Sequence, residues 1–215
     1  MTTAEGLRLE HISIALGGRD LIAVDATIKP GDVLTVMGPS GSGKSTLIAY
    51  VAGFLDPVFS ASGKVWAGTT DLTELPAEAR RAGILFQDPL LFPHLSVRDN
   101  IAIAVPQSVS GRRERRRIAS EALERVGLEG FGDRDPDTLS GGQKARVALQ
   151  RVMVSEPRLL LLDEPFSKLD TALRDQVREM VFAQARAAGL PVVLVTHDAA
   201  DAEAARGRII EVGAA

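Results

Sequence analysis

Gly38-Pro39-Ser40-Gly41-Ser42-Gly43-Lys44-Ser45, followed by Thr46, has the spacing GxxxxGKS of a phosphate-binding loop. Glycines let such a segment curl until successive backbone N–H groups point at phosphate oxygens. A helix starting at Lys44 adds its positive N-terminal end. In this chemistry Lys44 reaches the β- and γ-phosphates of a nucleotide, and Ser45 ligates Mg²⁺. The plainer reading is a glycine-rich turn. Two flanking features favour the phosphate site: an apolar run ends just before the loop, and a helical pattern begins inside it.

A second segment offers the complementary chemistry. Leu159-Leu160-Leu161-Leu162 reads as a buried strand, and Asp163 and Glu164 follow at its end. Asp163 is placed to orient Mg²⁺, and Glu164 to polarise a water for in-line attack on a γ-phosphate. Alone, the pair reads equally well as surface acids opening a loop. Alongside the phosphate loop, the catalytic reading is the stronger one.

These residues need a rigid frame, and the pattern of the chain predicts one. Strands are expected over Leu7–Leu16, Leu21–Ile28 and Val33–Met37, and a helix over Lys44–Ala52 that Gly53 ends. A small antiparallel element is expected over Ser62–Thr70, and a buried strand over Gly83–Gln87. Asp88–Glu156 is rich in helix formers and basic residues and reads as a helical insertion. Apolar strands return at Leu159–Leu162 and Val192–Thr196, with a helix near Thr171–Ala188 between them. Strand, helix, strand with fully apolar strands predicts a parallel sheet covered by helices, an α/β fold.

Composition narrows the class. The chain has 215 residues, 45% of them hydrophobic and 25% charged, enough for one soluble domain with a sizeable core. A net charge of -3 argues against a general grip on nucleic acid. With no cysteine there is no disulfide frame and no thiolate metal site. No stretch approaches the roughly 18 to 20 apolar residues of a membrane span. Residues Met1 to Glu10 lack the pattern of a signal peptide. A cytosolic protein is expected, reaching a membrane only through a partner.

Leu139-Ser140-Gly141-Gly142-Gln143 decides the family. Ser140 reads as an N-cap, and the two glycines expose N–H groups at a helix start, a second anion site. In isolation it could be a glycine cap or a linker. As LSGGQ it resembles the signature of ABC ATPases, and the resemblance runs from about Leu7 to Val212 with the motifs in the family's order. It implies a P-loop NTPase with a RecA-like core (residues 1–87 and 157–215, including an antiparallel β part) and a helical signature subdomain (88–156). It also implies a head-to-tail homodimer, or a paired ATPase subunit, in which each signature closes over the other chain's phosphate loop. ATP and Mg²⁺ are the implied ligands.

The resemblance assigns further residues. Gln87 matches the glutamine that touches Mg²⁺ and the attacking water. His197 matches the histidine that senses the γ-phosphate. Ser167-Lys168-Leu169-Asp170 matches the D-loop, with Lys168 where alanine is more usual. The aromatic residue that usually stacks on adenine is missing: Leu16 takes its place, and no aromatic residue precedes Tyr50. A weaker preference for ATP over GTP than in relatives with the aromatic is expected.

The stretch FQDPLLFPHLSVRDNI, Phe86 to Ile101, resembles importer subunits of the iron, thiamine, polyamine and sulfate type. The resemblance implies integral membrane permease subunits contacted near Leu90–Leu95, an external solute-binding protein, and a peripheral place on the cytoplasmic side of the membrane. Of Leu90, Leu91, Phe92 and Leu95, about half are expected to pack inward, with Phe92 and Leu95 nearest the partner. The basic run Arg112, Arg113, Arg115, Arg116 and Arg117 reads as a solvated helix face more readily than as a site for acidic lipid. No C-terminal regulatory domain is expected. Rival readings are a soluble scaffold ATPase and an exporter ATPase.

Overall fold

The computed structural model describes residues 6–213. The chain divides into two compact units: one holds the chain through Ile84, Arg158–Glu164 and the chain from Phe182, and the other holds Leu85–Pro157 and Pro165–Val181.

In the first unit, β1 (Leu7–Leu16), β2 (Arg19–Ile28), β4 (Phe59–Ala67) and β5 (Thr70–Asp71) form an antiparallel sheet of order β2-β1-β4-β5. One face of β1 is apolar and buried through Leu7, Leu9, Ile12 and Ile14. The alternation skips at Glu10–His11, where the register to both neighbours shifts. A bulge there keeps Leu9 and Ile12 on one face despite their odd spacing.

The second sheet has the order β6-β7-β8-β3-β9, from β3 (Val33–Met37), β6 (Ala82–Leu85), β7 (Leu159–Asp163), β8 (Val192–Thr196) and β9 (Arg208–Glu211). The pairings β7–β8, β8–β3 and β3–β9 are all parallel. β7 and β8 are apolar along almost their whole length, as strands covered on both faces must be. Helix α1 (Lys44–Ala52) lies between the sheets, and Leu47, Ile48 and Val51 join side chains of both in one core.

The helical unit holds α3 (Val97–Ala102), α4 (Arg112–Glu124), α5 (Gly141–Met153) and the first part of α6 (Thr171–Ala187). Its own core gathers Val97, Ile101, Ala119, Leu123, Leu139 and Val147.

Several expectations need correction. The buried strand is Ala82–Leu85, so Gln87 lies beyond it in a bend. The antiparallel element starts earlier, at Phe59. The short helices α2 (Ala77–Arg80) and α7 (Ala199–Ala205), and the edge strand β9, were not foreseen. The last strand is therefore β9 and not Val192–Thr196. The helical unit takes in Leu85–Pro157 and the segment Pro165–Val181.

Candidate functional site

The register of the parallel sheet assembles the first half of the site. Met37 pairs with Thr196, and Asp163 pairs with Val195. The loops after β3, β7 and β8 therefore leave the same carboxyl edge, where open α/β sheets hold ligands. Gly38 to Gly43, Glu164 and His197 all lie there.

Within the loop, Lys44 is only 5% exposed, and its Nζ donates to the carbonyls of Gly38 at 2.8 Å and Pro39 at 2.7 Å. The ammonium is thus fixed across the curl of the chain. Two of the glycines have steric reasons. At Gly38 a Cβ would lie 2.5 Å from the Val212 carbonyl oxygen. Gly43 has φ 82°, and its Cβ would lie 3.2 Å from side-chain atoms of Leu21 and Ile22. Pro39, Ser40 and Gly41 face solvent, while the Ser42 hydroxyl is buried with no hydrogen-bond partner among the described residues. Thr46 is half-buried in the first turn of α1.

Ser45 Oγ donates to Asp163 Oδ1 at 2.9 Å, joining residues 118 positions apart. Burial pushes the Asp163 carboxyl above its ordinary value; the Ser45 hydrogen bond opposes this, nearby Glu164 adds to it, and Lys44 opposes it. A hydroxyl and a carboxylate oxygen side by side suit Mg²⁺, which takes one or two protein oxygens and completes its shell with phosphate and water. Among the described residues no cluster of three or more His, Cys, Asp or Glu forms an all-protein metal cage. The donor set fits a metal shared with a nucleotide.

Glu164 Oε1 lies 3.1 Å from His197 Nδ1. Glu164 has φ 47°, uncommon outside glycine, and its N–H donates to the Val195 carbonyl at 3.0 Å. Backbone strain of this kind concentrates where a side chain must be aimed. Behind His197, the Thr196 hydroxyl donates to Asp201 Oδ2 at 3.1 Å and accepts from the Asp198 N–H at 3.0 Å. Asp201, 2% exposed, is a support that sequence reasoning missed. Its only signal was an acid in the first turn of a helix too short to predict.

The helical unit carries the remaining predicted residues. Ser140 caps α5 in a reciprocal box: its Oγ accepts from the Gln143 N–H at 3.3 Å, and Gln143 Oε1 accepts from the Ser140 N–H at 2.9 Å. Both side chains thereby fix the helix start, where Gly141 and Gly142 N–H groups have no intrahelical acceptor. A Cβ on Gly142 would lie 3.2 Å from Leu173 Cδ2, while Leu139 is buried in the unit's core. Asp170 Oδ1 accepts from the Leu173 N–H at 3.1 Å, capping α6. Lys168 forms a 2.6 Å ion pair with Asp88, next to exposed Gln87.

The segment resembling a permease contact is built by two residues that sequence reasoning passed over. Asn100, fully buried, accepts from the Phe92 N–H at 2.7 Å and donates to the carbonyls of Phe92, Leu95 and Ser96. Arg151, on α5, donates to the carbonyls of Leu90 and Pro89 and lies over the Phe92 ring. Leu90 and Phe92 are exposed, Leu91 packs against the unit's core, and Leu95 is half-buried. In the basic run Arg112 and Arg113 are exposed, and the other three have partners on the helical unit itself. Arg115 binds the carbonyls of Ala102, Ile103 and Val105 at the end of α3, Arg116 pairs with Asp99 and Asp133, and Arg117 pairs with Glu114 and Glu121. Leu16, the adenine candidate, closes β1 at 40% exposure.

Fold and site together define an α/β P-loop nucleotide hydrolase, and comparison with known proteins narrows the class. The family model described as ABC transporter matches residues 21–167. The chain is 49% identical over 199 residues to an uncharacterized ABC transporter ATP-binding protein of Escherichia coli, YnjD, covering 92% of this chain and 91% of that one. It is 42% identical to a thiamine import ATP-binding protein of Jannaschia, ThiQ, over 95% of this chain and 87% of that one. An Fe(3+) ions import ATP-binding protein of Rhizobium etli, FbpC, is 45% identical over 86% of this chain, which spans about half (51%) of that relative. Among solved structures, a dimeric ATP-binding cassette in a post-hydrolysis state bound to ADP and Pi superposes with a TM-score of 0.78 at 30% identity, covering 97% of this chain and 96% of that one. The chain belongs to the ABC transporter family, and it is an ATPase of the P-loop class.

Proposed function

We propose that this chain is the ATP-hydrolysing subunit of a membrane importer, working as a head-to-tail dimer around two shared nucleotides. The observation that carries this reading is the row Lys44, Ser45–Asp163 and Glu164–His197 along one sheet edge. In the reading, the N–H groups of Gly41 to Ser45 and the Lys44 ammonium hold the β- and γ-phosphates. Ser45 and Asp163 would hold Mg²⁺, an ion to which the family resemblance also assigns Gln87, and it would neutralise charge on the transferring phosphate.

Glu164 accepts a proton from the attacking water as its oxygen bonds to Pγ. The bond from Pγ to the bridging oxygen breaks, and ADP leaves with that electron pair. His197 holds the Glu164 carboxylate in position and contacts the γ-phosphate. Ser140, Gly141 and Gly142 of each chain close over the other chain's phosphate, and Asp170 lies at the same junction. Hydrolysis removes the bridging γ-phosphate and lets the pair open.

The import direction rests on relatives whose names describe Fe(3+) and thiamine import. Exposed Leu90 and Phe92, held by Asn100 and Arg151, are the contact we assign to a permease subunit. An external solute-binding protein would deliver the solute, and the chain would work peripherally on the cytoplasmic face. Among the described residues no helix is long and apolar enough to cross a membrane.

Phosphate release from Mg-ATP tests the reading. Wild type should turn over, whereas Glu164→Gln and Ser140→Arg should each lose at least about 100-fold. Normal turnover by Ser140→Arg would remove the shared-site mechanism.

A further inference from the structure

The end of the antiparallel sheet carries two partly exposed apolar side chains, Leu16 and Phe59, paired across the ladder. Helix α1 lies under the inner face of this sheet, and two contacts fix its direction. Near its C-terminal end, Tyr50 Oη donates to the Gly63 carbonyl at 2.8 Å, at the level of the bulge in β1. At its N-terminal end, a Cβ on Gly43 would lie 3.2 Å from Ile22, which pairs with Ile14. β1 therefore runs from the last turn of α1 toward the phosphate loop as it passes from Ile12 to Ile14.

Leu16 lies two residues further on the same face, about 7 Å beyond Ile14 at strand rise. Ile12 and Ile14 are buried, but Leu16 is 40% exposed because the strand has passed the end of the helix beneath it. Across the ladder Leu16 pairs with Phe59, the first residue of β4, so the two side chains share that face. Phe59 packs against the core on one side and is half-exposed. An aromatic and a leucine thus lie side by side where β1 runs past the N-terminal end of α1, the end that the Gly38–Gly43 loop enters. A nucleotide carries a flat, largely apolar base one ribose away from its phosphates.

We propose that Phe59 is the base-stacking residue of this chain, with Leu16 beside it, so that the aromatic contact is supplied from β4 and not from β1. The proposal rests on the reading of Gly38–Ser45 as the phosphate site. It commits this pair to the base of that nucleotide. Stacking on a ring is insensitive to purine substituents, so adenine and guanine should profit alike.

Equilibrium binding of ATP, GTP and inorganic tripolyphosphate to the full chain tests it, on wild type, Phe59→Ala, Phe59→Leu and Phe59→Trp. Phe59→Leu keeps apolar volume against the core and removes only the ring. Both ring-less variants should bind ATP and GTP about fivefold more weakly, with tripolyphosphate affinity unchanged and Phe59→Trp close to wild type. Unchanged ATP affinity in Phe59→Leu and Phe59→Ala would overturn the proposal, and the pair would then serve a protein contact. An equal loss for ATP and tripolyphosphate would also overturn it, showing Phe59 to be a support of the loop. Failure of wild type to bind either ligand would overturn the phosphate-loop reading, and this proposal with it.

Discussion

His197 Nδ1 lies 3.1 Å from Glu164 Oε1, so the ends of two neighbouring parallel strands are joined by a side-chain contact at the candidate reaction centre. The contact restrains a carboxylate whose backbone is already held in the left-handed region. Removing the imidazole in His197→Ala should lower turnover about 100-fold while leaving ATP affinity within about threefold. Steady-state phosphate release with a parallel binding titration checks both halves.

Asp163 carries a cost in stability. Burial raises its pKa, so the folded state binds this proton more tightly than the unfolded chain does. The charged carboxylate destabilises the fold above its folded pKa, and the penalty disappears as pH falls below the unfolded value. Asp163→Asn should therefore melt higher than wild type at neutral pH, without nucleotide or Mg²⁺. The gap should close toward pH 4, the region of an ordinary carboxylate. The same variant should lose ATP hydrolysis. Melting curves across pH in a chelator check the sign.

Arg80 is a buried guanidinium whose hydrogen bonds among the described residues go to backbone carbonyls. It donates to the carbonyls of Tyr50, Val51, Thr73 and Leu75, so it closes the C-terminal end of α1. Desolvation by burial lowers its pKa, yet the group stays charged. Arg80→Met should cost about 3 kcal/mol, because buried carbonyls lose charge-assisted hydrogen bonds. Urea denaturation measures this directly, and a loss below about 1 kcal/mol would refute the clamp.

Asn100 should matter for the loop it staples. Asn100→Ala leaves the Phe92 N–H and three carbonyls without this partner, at a cost of about 2 kcal/mol. Proteolytic nicking should then move to residues 89–96. An unchanged cleavage pattern would show that Arg151 alone holds the segment.

Much of the parallel sheet was legible because its strands are contiguous apolar runs. Val33–Met37 and Val192–Thr196 end where the pattern breaks, and the phosphate loop and Asp163-Glu164 follow such breaks directly. Residues whose role depends on distant partners were hidden. Phe59 faces Leu16 only through a register that a bulge at His11 resets. Arg80 and Asn100 look like ordinary polar residues in short helices until the carbonyls around them are known. β9, reading Arg-Ile-Ile-Glu, is too short and too exposed to announce a strand; pairing with β3 makes it one.

The central claim is a site completed by a second copy of the chain. Its most direct test is the size of Glu164→Gln in solution with ATP and Mg²⁺, measured beside wild type and beside a double variant carrying Ser140→Arg. Glu164→Gln should become a dimer only when Mg-ATP is present, while wild type returns to its ATP-free size as ATP is spent. Adding Ser140→Arg should abolish the dimer. A Glu164→Gln chain that binds ATP and stays a monomer, or a dimer indifferent to Ser140→Arg, would contradict the account.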